Sequence, residues 1–447
     1  MKQTTPPKTY RVKSFGCQMN VYDGERMAEL LAEKGITPAP EGEDADLVVL
    51  NTCHIREKAA EKVYSDIGRI AKAGEEAGKK PLIAVAGCVA QAEGEEIMAR
   101  APAVSMVVGP QAYHRLPAML DRAVKGERAT DTDMPANAKF AELPQRRKSA
   151  PSAFLTIQEG CDKFCTYCVV PYTRGAEISR PFVELVEEAK RLVAAGAKEI
   201  TLLGQNVSAW SGEDYAGHRV GLAGLVAELA KDPDLARIRY TTSHPADMDE
   251  DIIEAHGSIA KLMPYLHLPV QSGSDRVLKA MNRSHTAESY LKLLERFRAA
   301  RPDLALSGDF IVGFPGETDA EFEDTLKIVD EVHYAAAFSF KYSPRPGTPA
   351  ATMDDQVAPE VMDERLQRLQ AALRRDQMAF NEASVGKTCQ VLVERRGKKP
   401  GQWLGKSPWL QSVWFEGDAQ IGDLVQAELL EAGQNSLAAR LREGALA

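Results

Sequence analysis

No run in this 447-residue chain approaches the roughly 18 consecutive apolar residues that cross a bilayer. The opening stretch, MKQTTPPKTYRVKSF, lacks the apolar core of a secretory leader. Both absences lead us to expect a cytoplasmic protein with no membrane partner, in a compartment where thiols stay reduced. Basic residues are not in excess: 55 Lys and Arg stand against 64 Asp and Glu, a formal net charge of −9. That excludes a protein that coats nucleic acid non-specifically, but not one with a local basic face. Solenoid repeats and low-complexity tracts are missing. GFPGET (313–318) has no lysine to reach a phosphate, so it is a turn into a helix and not a P-loop. The cysteines, at 17, 53, 88, 161, 165, 168 and 389, form no even framework. In a reducing compartment such a set points to metal or redox chemistry, not to disulfides.

The chain is too long for one ordinary core, which implies two or three domains. The apolar runs KTYRVKSFG, ADLVVLNT and KPLIAVAG each precede a helix-like stretch, the pattern of a parallel sheet covered by helices. We therefore expect an α/β domain over residues 8–127 and a linker over 128–150. A second α/β domain follows over 151–382. Its candidate strands are AFLTIQ (153–158), EITLLG (199–204), RIRYTT (237–242), YLHLPV (265–270), ALSGDFIVG (305–313) and AAFSFKY (336–342). Six β/α units suit an incomplete barrel better than a closed eight-unit one. After a long helical stretch (358–384), residues 383–447 read as a small all-β barrel in the manner of an OB-fold.

EGCDKFCTYC (159–168) has the spacing C-x3-C-x2-C directly after a candidate strand. Three thiolates on one loop can hold a 4Fe–4S cluster and leave one iron open. A structural zinc would want a fourth Cys or His at a familiar distance, and no such pair follows nearby. The isolated cysteines of SFGCQMN, LNTCHIREKA and VAGCVAQ lie 36 and 35 residues apart, about one β/α unit each. A single one would read as a small core hydrophobe. In a parallel sheet, however, all carboxyl strand ends share one edge. Cys17, Cys53 and Cys88 therefore meet as a second three-thiol group, beside helix N-termini that favour thiolate. Cys389 has no companion and reads as a buried hydrophobe.

Taken together, these features resemble the radical S-adenosylmethionine methylthiotransferases over essentially the whole chain. That family has an N-terminal cluster domain, a radical barrel and a C-terminal TRAM module. GCQMN, NTCHIREKA, GCVAQ, CTYCVVPYTRG (165–175), LLGQNV (202–207), HLPVQSGSDRVLKAMNR (267–283), DFIVGFPGET (309–318) and KYSPRPGTPAA (341–351) are similar to one branch of it. That branch makes 2-methylthio-N(6)-dimethylallyladenosine in tRNA. His54, where the family pattern leads us to expect Ser, is either a polar loop residue or a ligand or proton donor beside Cys53.

The resemblance implies two 4Fe–4S clusters, an auxiliary one on Cys17, Cys53 and Cys88 and a radical one on Cys161, Cys165 and Cys168. It implies two molecules of S-adenosyl-L-methionine per turnover. One methylates sulfur at the auxiliary cluster, and the other yields a 5′-deoxyadenosyl radical that drives attachment at carbon 2 of the base. The implied partners are the tRNA anticodon stem-loop, with N(6)-isopentenyladenosine at position 37, a reducing electron donor and a sulfur source. Threonylcarbamoylated tRNA, a ribosomal protein, and a non-catalytic iron–sulfur RNA-binding role are the alternatives.

Tyr167 is a candidate to present its backbone to the cofactor's adenine. Gly204, Gln205, Ser243, His244, Gln271 and Asp309 lie at or near the ends of candidate barrel strands, where barrel enzymes build their sites. Each is either a cofactor contact or a polar strand cap. Arg174 and Arg180 could bind a cofactor carboxylate or tRNA phosphate, or form surface ion pairs. In the terminal module, Arg395, Arg396, Lys398, Lys399 and Lys406 alternate with Trp403, Trp409 and Trp414. Cations for phosphate and aromatics for stacking make an RNA-binding face, with Arg395, Arg396, Lys398, Lys399 and Trp403 as its core.

Overall fold

The computed structural model of the chain describes residues 5–53, 57–134, 138–146 and 149–446. His54 lies outside the described residues. The chain divides into two compact units. One comprises Met1–Arg146, Glu159–Asp162 and Val169–Ile178, and the other Arg147–Gln158, Lys163–Cys168 and Ser179–Ala447. The division does not follow the chain, because Cys161 belongs to the first unit and Cys165 and Cys168 to the second.

The first unit is built on a parallel six-stranded sheet of β1 (Thr9–Ser14), β2 (Thr37–Pro38), β3 (Leu47–Thr52), β4 (Leu82–Gly87), β5 (Met106–Val108) and β6 (Ala129–Asp131), in the order β2-β1-β3-β4-β5-β6. Leu47, Val49, Ala84, Met106 and Val108 face one apolar cluster, and Val48, Leu50, Ile83, Val85 and Val107 face another. Period-2 alternation with both faces apolar is what a sheet buried between helices requires. Helix α1 (Gln18–Glu33) packs Met27, Leu30 and Leu31 on the first face, and α2 (Glu57–Glu76) packs Val63 and Ile67 on the second. The stretch expected to be a linker instead supplies β6 and a short helix over Ala138–Ala141. Its strand is too short and too polar to be legible as one.

In the second unit, β7 (Ser152–Thr156), β8 (Glu199–Leu203) and β9 (Arg237–Tyr240) form one parallel group. β10 (Tyr265–His267), β11 (Ala305–Val312) and β12 (Ala336–Lys341) form another. A bridge between Ile238 and Leu262 links the groups. Among the described residues β7 and β12 do not pair with each other, so the barrel of six strands is open. β10 stops at His267, before Pro269, which has no N–H for a ladder. A 24-residue helix, Pro359–Glu382, leads to a closed five-stranded barrel spanning Thr388 to Leu446. No helix among the described residues is long and apolar enough to cross a membrane.

The small barrel docks against the amino ends of the open barrel's strands. Arg237, the first residue of β9, donates to the carbonyls of Lys406 (2.9 Å) and Gln390 (2.5 Å). Arg239 donates to those of Pro408 (2.8 Å) and Ser407 (2.9 Å). Glu199, the first residue of β8, compensates the buried guanidiniums at 2.9 Å from Arg239 and 3.9 Å from Arg237, and accepts from Ser152 at 3.0 Å. Glu199→Ala leaves two buried cations without their carboxylate and is expected to cost about 3–5 kcal/mol. Urea denaturation would measure it, and a loss below 1 kcal/mol, the range of an exposed pair, would contradict a central role for this carboxylate.

Candidate functional site

β1, β3 and β4 are neighbours, with Ser14 opposite Asn51 and Thr52 opposite Gly87. Their carboxyl ends run directly into Cys17, Cys53 and Cys88. Gly16 (φ 100°) and Gly87 (φ 88°) occupy the left-handed region that favours glycine. A Cβ on Gly16 would overlap the side chain of Cys53, and one on Gly87 would meet the Thr52 carbonyl and the Asn51 side chain. The glycine before Cys17 and the glycine before Cys88 thus let adjacent strand ends close together. Asn20 Nδ2 donates to the Phe15 carbonyl (2.9 Å), and Asn51 Nδ2 donates to the Asn20 carbonyl (2.6 Å), fixing the start of α1 on the sheet edge.

The three thiols are not equivalent. A hydrogen bond from Cys53, aided by the Arg174 guanidinium, draws the Cys17 thiol down to about 6 against the opposing effect of burial. Burial pushes the Cys88 thiol up despite the same guanidinium. No three Cys, His, Asp or Glu side chains among the described residues converge as ligands of one metal ion. A 4Fe–4S cluster asks for something different, since it binds each thiolate at its own iron.

Arg174 and Arg180 correct the expectation of cations offered to a carboxylate or phosphate. Arg174 is 3% exposed and donates to Asp23 (2.6 Å), Asn20 (3.2 Å) and Glu159 (3.3 Å). Arg180 is buried on Glu188 (2.7 Å) and the Thr156 carbonyl (2.8 Å). A buried guanidinium needs a carboxylate; Arg174 meets Asp23 from 151 positions away, and Arg180 meets Glu188 eight residues on, a spacing that does not by itself mark an ion pair.

In the second unit the loop Lys163–Cys168 is pinned from the stretch Ala280–Arg283. Thr166 donates through its N–H to the Met281 carbonyl (3.1 Å) and through its hydroxyl to that of Ala280 (2.9 Å). Asn282 Nδ2 donates to the carbonyls of Lys163 (3.1 Å) and Phe164 (3.0 Å). Arg283 donates to Cys165 Sγ at 3.7 Å and to the Pro269 carbonyl at 2.7 Å. In the sequence these residues stand out only as part of the stretch HLPVQSGSDRVLKAMNR, and nothing local signals this role. Tyr167 packs against Val277, Met281 and Phe314, close to Arg283, Cys165, Cys168 and Asp309.

The remaining candidates gather at the carboxyl end of the open barrel. Gly204 lies against Gln158, whose Oε1 accepts from the N–H groups of Gln205 (2.8 Å) and Asn206 (3.0 Å). His244 is buried beside Arg283, Lys163 and His285, and burial takes its pKa down to about 2, so its ring is neutral at physiological pH. His244 Nε2 and the Ser243 hydroxyl are buried with no hydrogen-bond partner among the described residues. Buried polar atoms left in that state at a strand end are suited to receiving a polar ligand. Gln271, at φ 78°, bridges by its backbone to Asp309 (2.9 Å) and Ile311 (3.0 Å). Asp309 lies 3.6 Å from His267.

On the small barrel, Arg395, Arg396, Lys398 and Lys399 are exposed. Trp403 is a correction: it is 7% exposed, donates to the Gly417 carbonyl (3.0 Å) and belongs to the apolar core, so its ring cannot stack on a base. Trp409 donates to the Asp303 carbonyl (2.9 Å) and serves the docking contact. Cys389 lies in the same core, its thiol pushed up to about 11 by burial.

The unequal thiols generate a pH prediction for the metal-free protein. Because its acidity is enhanced, Cys17 is expected to react with iodoacetamide near its full rate at pH 7 and to lose reactivity as pH falls through about 6. Cys88 should become reactive only at alkaline pH. Residue-resolved mass spectrometry across pH 5–9 checks this, and superimposable profiles would contradict it.

Three family models match the chain: Uncharacterized protein family UPF0004 at residues 9–109, the Radical SAM superfamily at 155–329 and the TRAM domain at 382–441. Among curated relatives, the tRNA-2-methylthio-N(6)-dimethylallyladenosine synthase of Erythrobacter litoralis is 82% identical over 99% of both chains. That of Novosphingobium aromaticivorans is 77% identical over 97% of this chain and 98% of its own, and that of Agrobacterium fabrum 59% over 96% of each. Among solved structures, the radical S-adenosylmethionine methyltransferase TsrM from Kitasatospora setae, with cobalamin and a [4Fe-4S] cluster bound, superposes with a TM-score of 0.56 at 13% identity, over 89% of this chain and 80% of that one. The cobalamin-dependent S-adenosylmethionine radical enzyme OxsB superposes at 0.51 and 13% identity, over 82% and 56%. At such identities the two structures show a shared fold. The relatives show more: the chain belongs to the tRNA-2-methylthio-N(6)-dimethylallyladenosine synthase family.

Proposed function

We propose that this chain attaches a methylthio group to carbon 2 of N(6)-isopentenyladenosine, beside the anticodon at position 37 of tRNA. The observation that carries the reading is the pair of three-cysteine groups, each following carboxyl ends of parallel strands, in a chain 82% identical to a named synthase along its whole length. Cys161, Cys165 and Cys168 would hold one 4Fe–4S cluster, and Cys17, Cys53 and Cys88 a second. The set of Cys17, Cys53 and Cys88 is supported by Gly16 and Gly87, which let the strand ends before these cysteines close together, and by the enhanced acidity of Cys17. Carbon 2 of adenine carries an unactivated C–H bond with no acid–base handle. The clusters and S-adenosylmethionine supply the radical and methyl chemistry when bound, drawing on an external electron donor and sulfur source.

The protein's own residues bind and orient. Gly204 and Gln205, the Ser243 hydroxyl and His244 Nε2, both unpartnered among the described residues, and Asp309 are contacts for the cofactor's polar groups at the carboxyl end of the open barrel. Arg283 and Asn282 hold the loop that carries Cys165. An anticodon-loop base is unstacked or easily extruded, so it can be reached without opening a duplex.

The test is an anaerobic reaction of reconstituted protein with reductant, S-adenosylmethionine and isopentenylated tRNA, followed by nucleoside mass spectrometry. A nucleoside heavier by a methylthio group is expected. Formation of 5′-deoxyadenosine without that product would remove the substrate assignment. Replacing Arg395, Arg396, Lys398 and Lys399 with alanine should weaken tRNA binding and lower the slope of log K against log salt by up to about 3, at ~0.7 per lost phosphate contact on a single strand. Cofactor cleavage should be unaffected, and unchanged tRNA affinity would sink the RNA-face assignment.

A further inference from the structure

Four charged side chains of the first unit, Asp23, Lys139, Glu159 and Arg174, are buried together, none more than 3% exposed. Lys139 lies 2.6 Å from Glu159 and 3.5 Å from Asp23, and Arg174 lies 2.6 Å from Asp23 and 3.3 Å from Glu159. Gln111 closes the set, its Nε2 donating to Glu159 (2.7 Å) and to the Arg174 carbonyl (3.0 Å). Two carboxylates balance two cations, so this group is neutral by itself. Arg174 does more than complete it: it donates to Asn20 Oδ1 (3.2 Å), the same oxygen that lies 3.9 Å from the Cys17 sulfur, and its charge acts on the Cys17 and Cys88 thiols. The two members that flank the C-x3-C-x2-C loop are Glu159, two residues before Cys161, and Arg174, six after Cys168.

A network kept only for stability would not need that last contact, and buried ion pairs are in any case weak stabilisers. A permanent cation held in a low-dielectric floor acts on whatever charge sits above it. A cluster bound to three thiolates gains one negative charge when it accepts an electron, and hydrogen bonds and net charge at the sulfurs set its potential. Arginine suits this task because it cannot be deprotonated.

We propose that Arg174 is a positioning residue for the auxiliary cluster, its guanidinium fixed by Asp23 and Glu159 so that it faces the Cys17 and Cys88 sulfurs and raises the cluster's reduction potential. The inference rests on the reading that Cys17, Cys53 and Cys88 hold a 4Fe–4S cluster.

The test uses the full chain with Cys161, Cys165 and Cys168 replaced by alanine, so that iron can reside only at the first group. Iron and sulfide are assayed, and the one-electron potential is read by EPR during titration with dithionite. Arg174→Met should shift the potential to more negative values, and Arg174→Lys, which keeps the charge but loses the fork, should shift it less. Asp23→Asn, which removes a negative charge without removing volume, should shift it to more positive values. If Arg174→Met fails to hold iron, the Asp23→Asn shift decides. Loaded protein whose potential is unmoved by these substitutions overturns the role of Arg174. Absence of iron from the parent triple variant overturns the auxiliary-cluster reading instead.

Discussion

A parallel sheet has one edge at which every strand delivers its carboxyl end, and the placement of Cys17, Cys53 and Cys88 depends on that constraint. An antiparallel arrangement would send alternate strand ends to opposite edges. Cys17, Cys53 and Cys88 are far apart in sequence yet converge because β1, β3 and β4 are consecutive neighbours running the same way. The glycines preceding Cys17 and Cys88 then decide how closely the ends approach, since any side chain there would strike the neighbouring strand end.

The open barrel uses the same asymmetry twice. Its carboxyl end gathers Gly204, Ser243, His244 and Gln271, including buried polar atoms left without partners among the described residues. Its amino end carries Glu199, Arg237 and Arg239, whose hydrogen bonds hold the small barrel. Unpartnered polar atoms at one end and a hydrogen-bonded dock at the other are what a barrel needs if one mouth is to receive a ligand while the other is covered. The docking contact also explains the fate of the tryptophans. Trp403 and Trp409 serve the core and the dock, and the cations Arg395, Arg396, Lys398 and Lys399 are left exposed.

The elements read from the sequence were those with strong periodicity. All six barrel strands and the three long strands of the first sheet lie where apolar runs predicted them. β5 and β6, at three residues each, gave no such signal, and β6 sat in a stretch polar enough to pass for a linker. The cysteines were legible because their spacing repeats the β/α unit. Arg174, Arg180 and Trp403 were misread because residue type says nothing about depth. An arginine after a cysteine loop looks exposed until its carboxylates are found, and a tryptophan among lysines looks available until its indole N–H is seen to be used.

That failure has a physical pattern. Apolar burial follows local periodicity, so a window of a few residues reveals it. Compensation of a buried charge is a pairwise, long-range condition: Arg174 meets Asp23 from 151 positions away, and Arg239 meets Glu199 from 40. The two cases differ in what they leave over. Arg239 uses its fork on Glu199 and on carbonyls, so its charge is consumed by the dock. Arg174 satisfies two carboxylates and also donates to Asn20, whose Oδ1 lies 3.9 Å from the Cys17 sulfur. A buried cation whose donors all end on the dock is architecture. One that retains a direction toward thiolates acts on what they bind, and that difference, invisible in the words TRG and RYT, separates the two arginines.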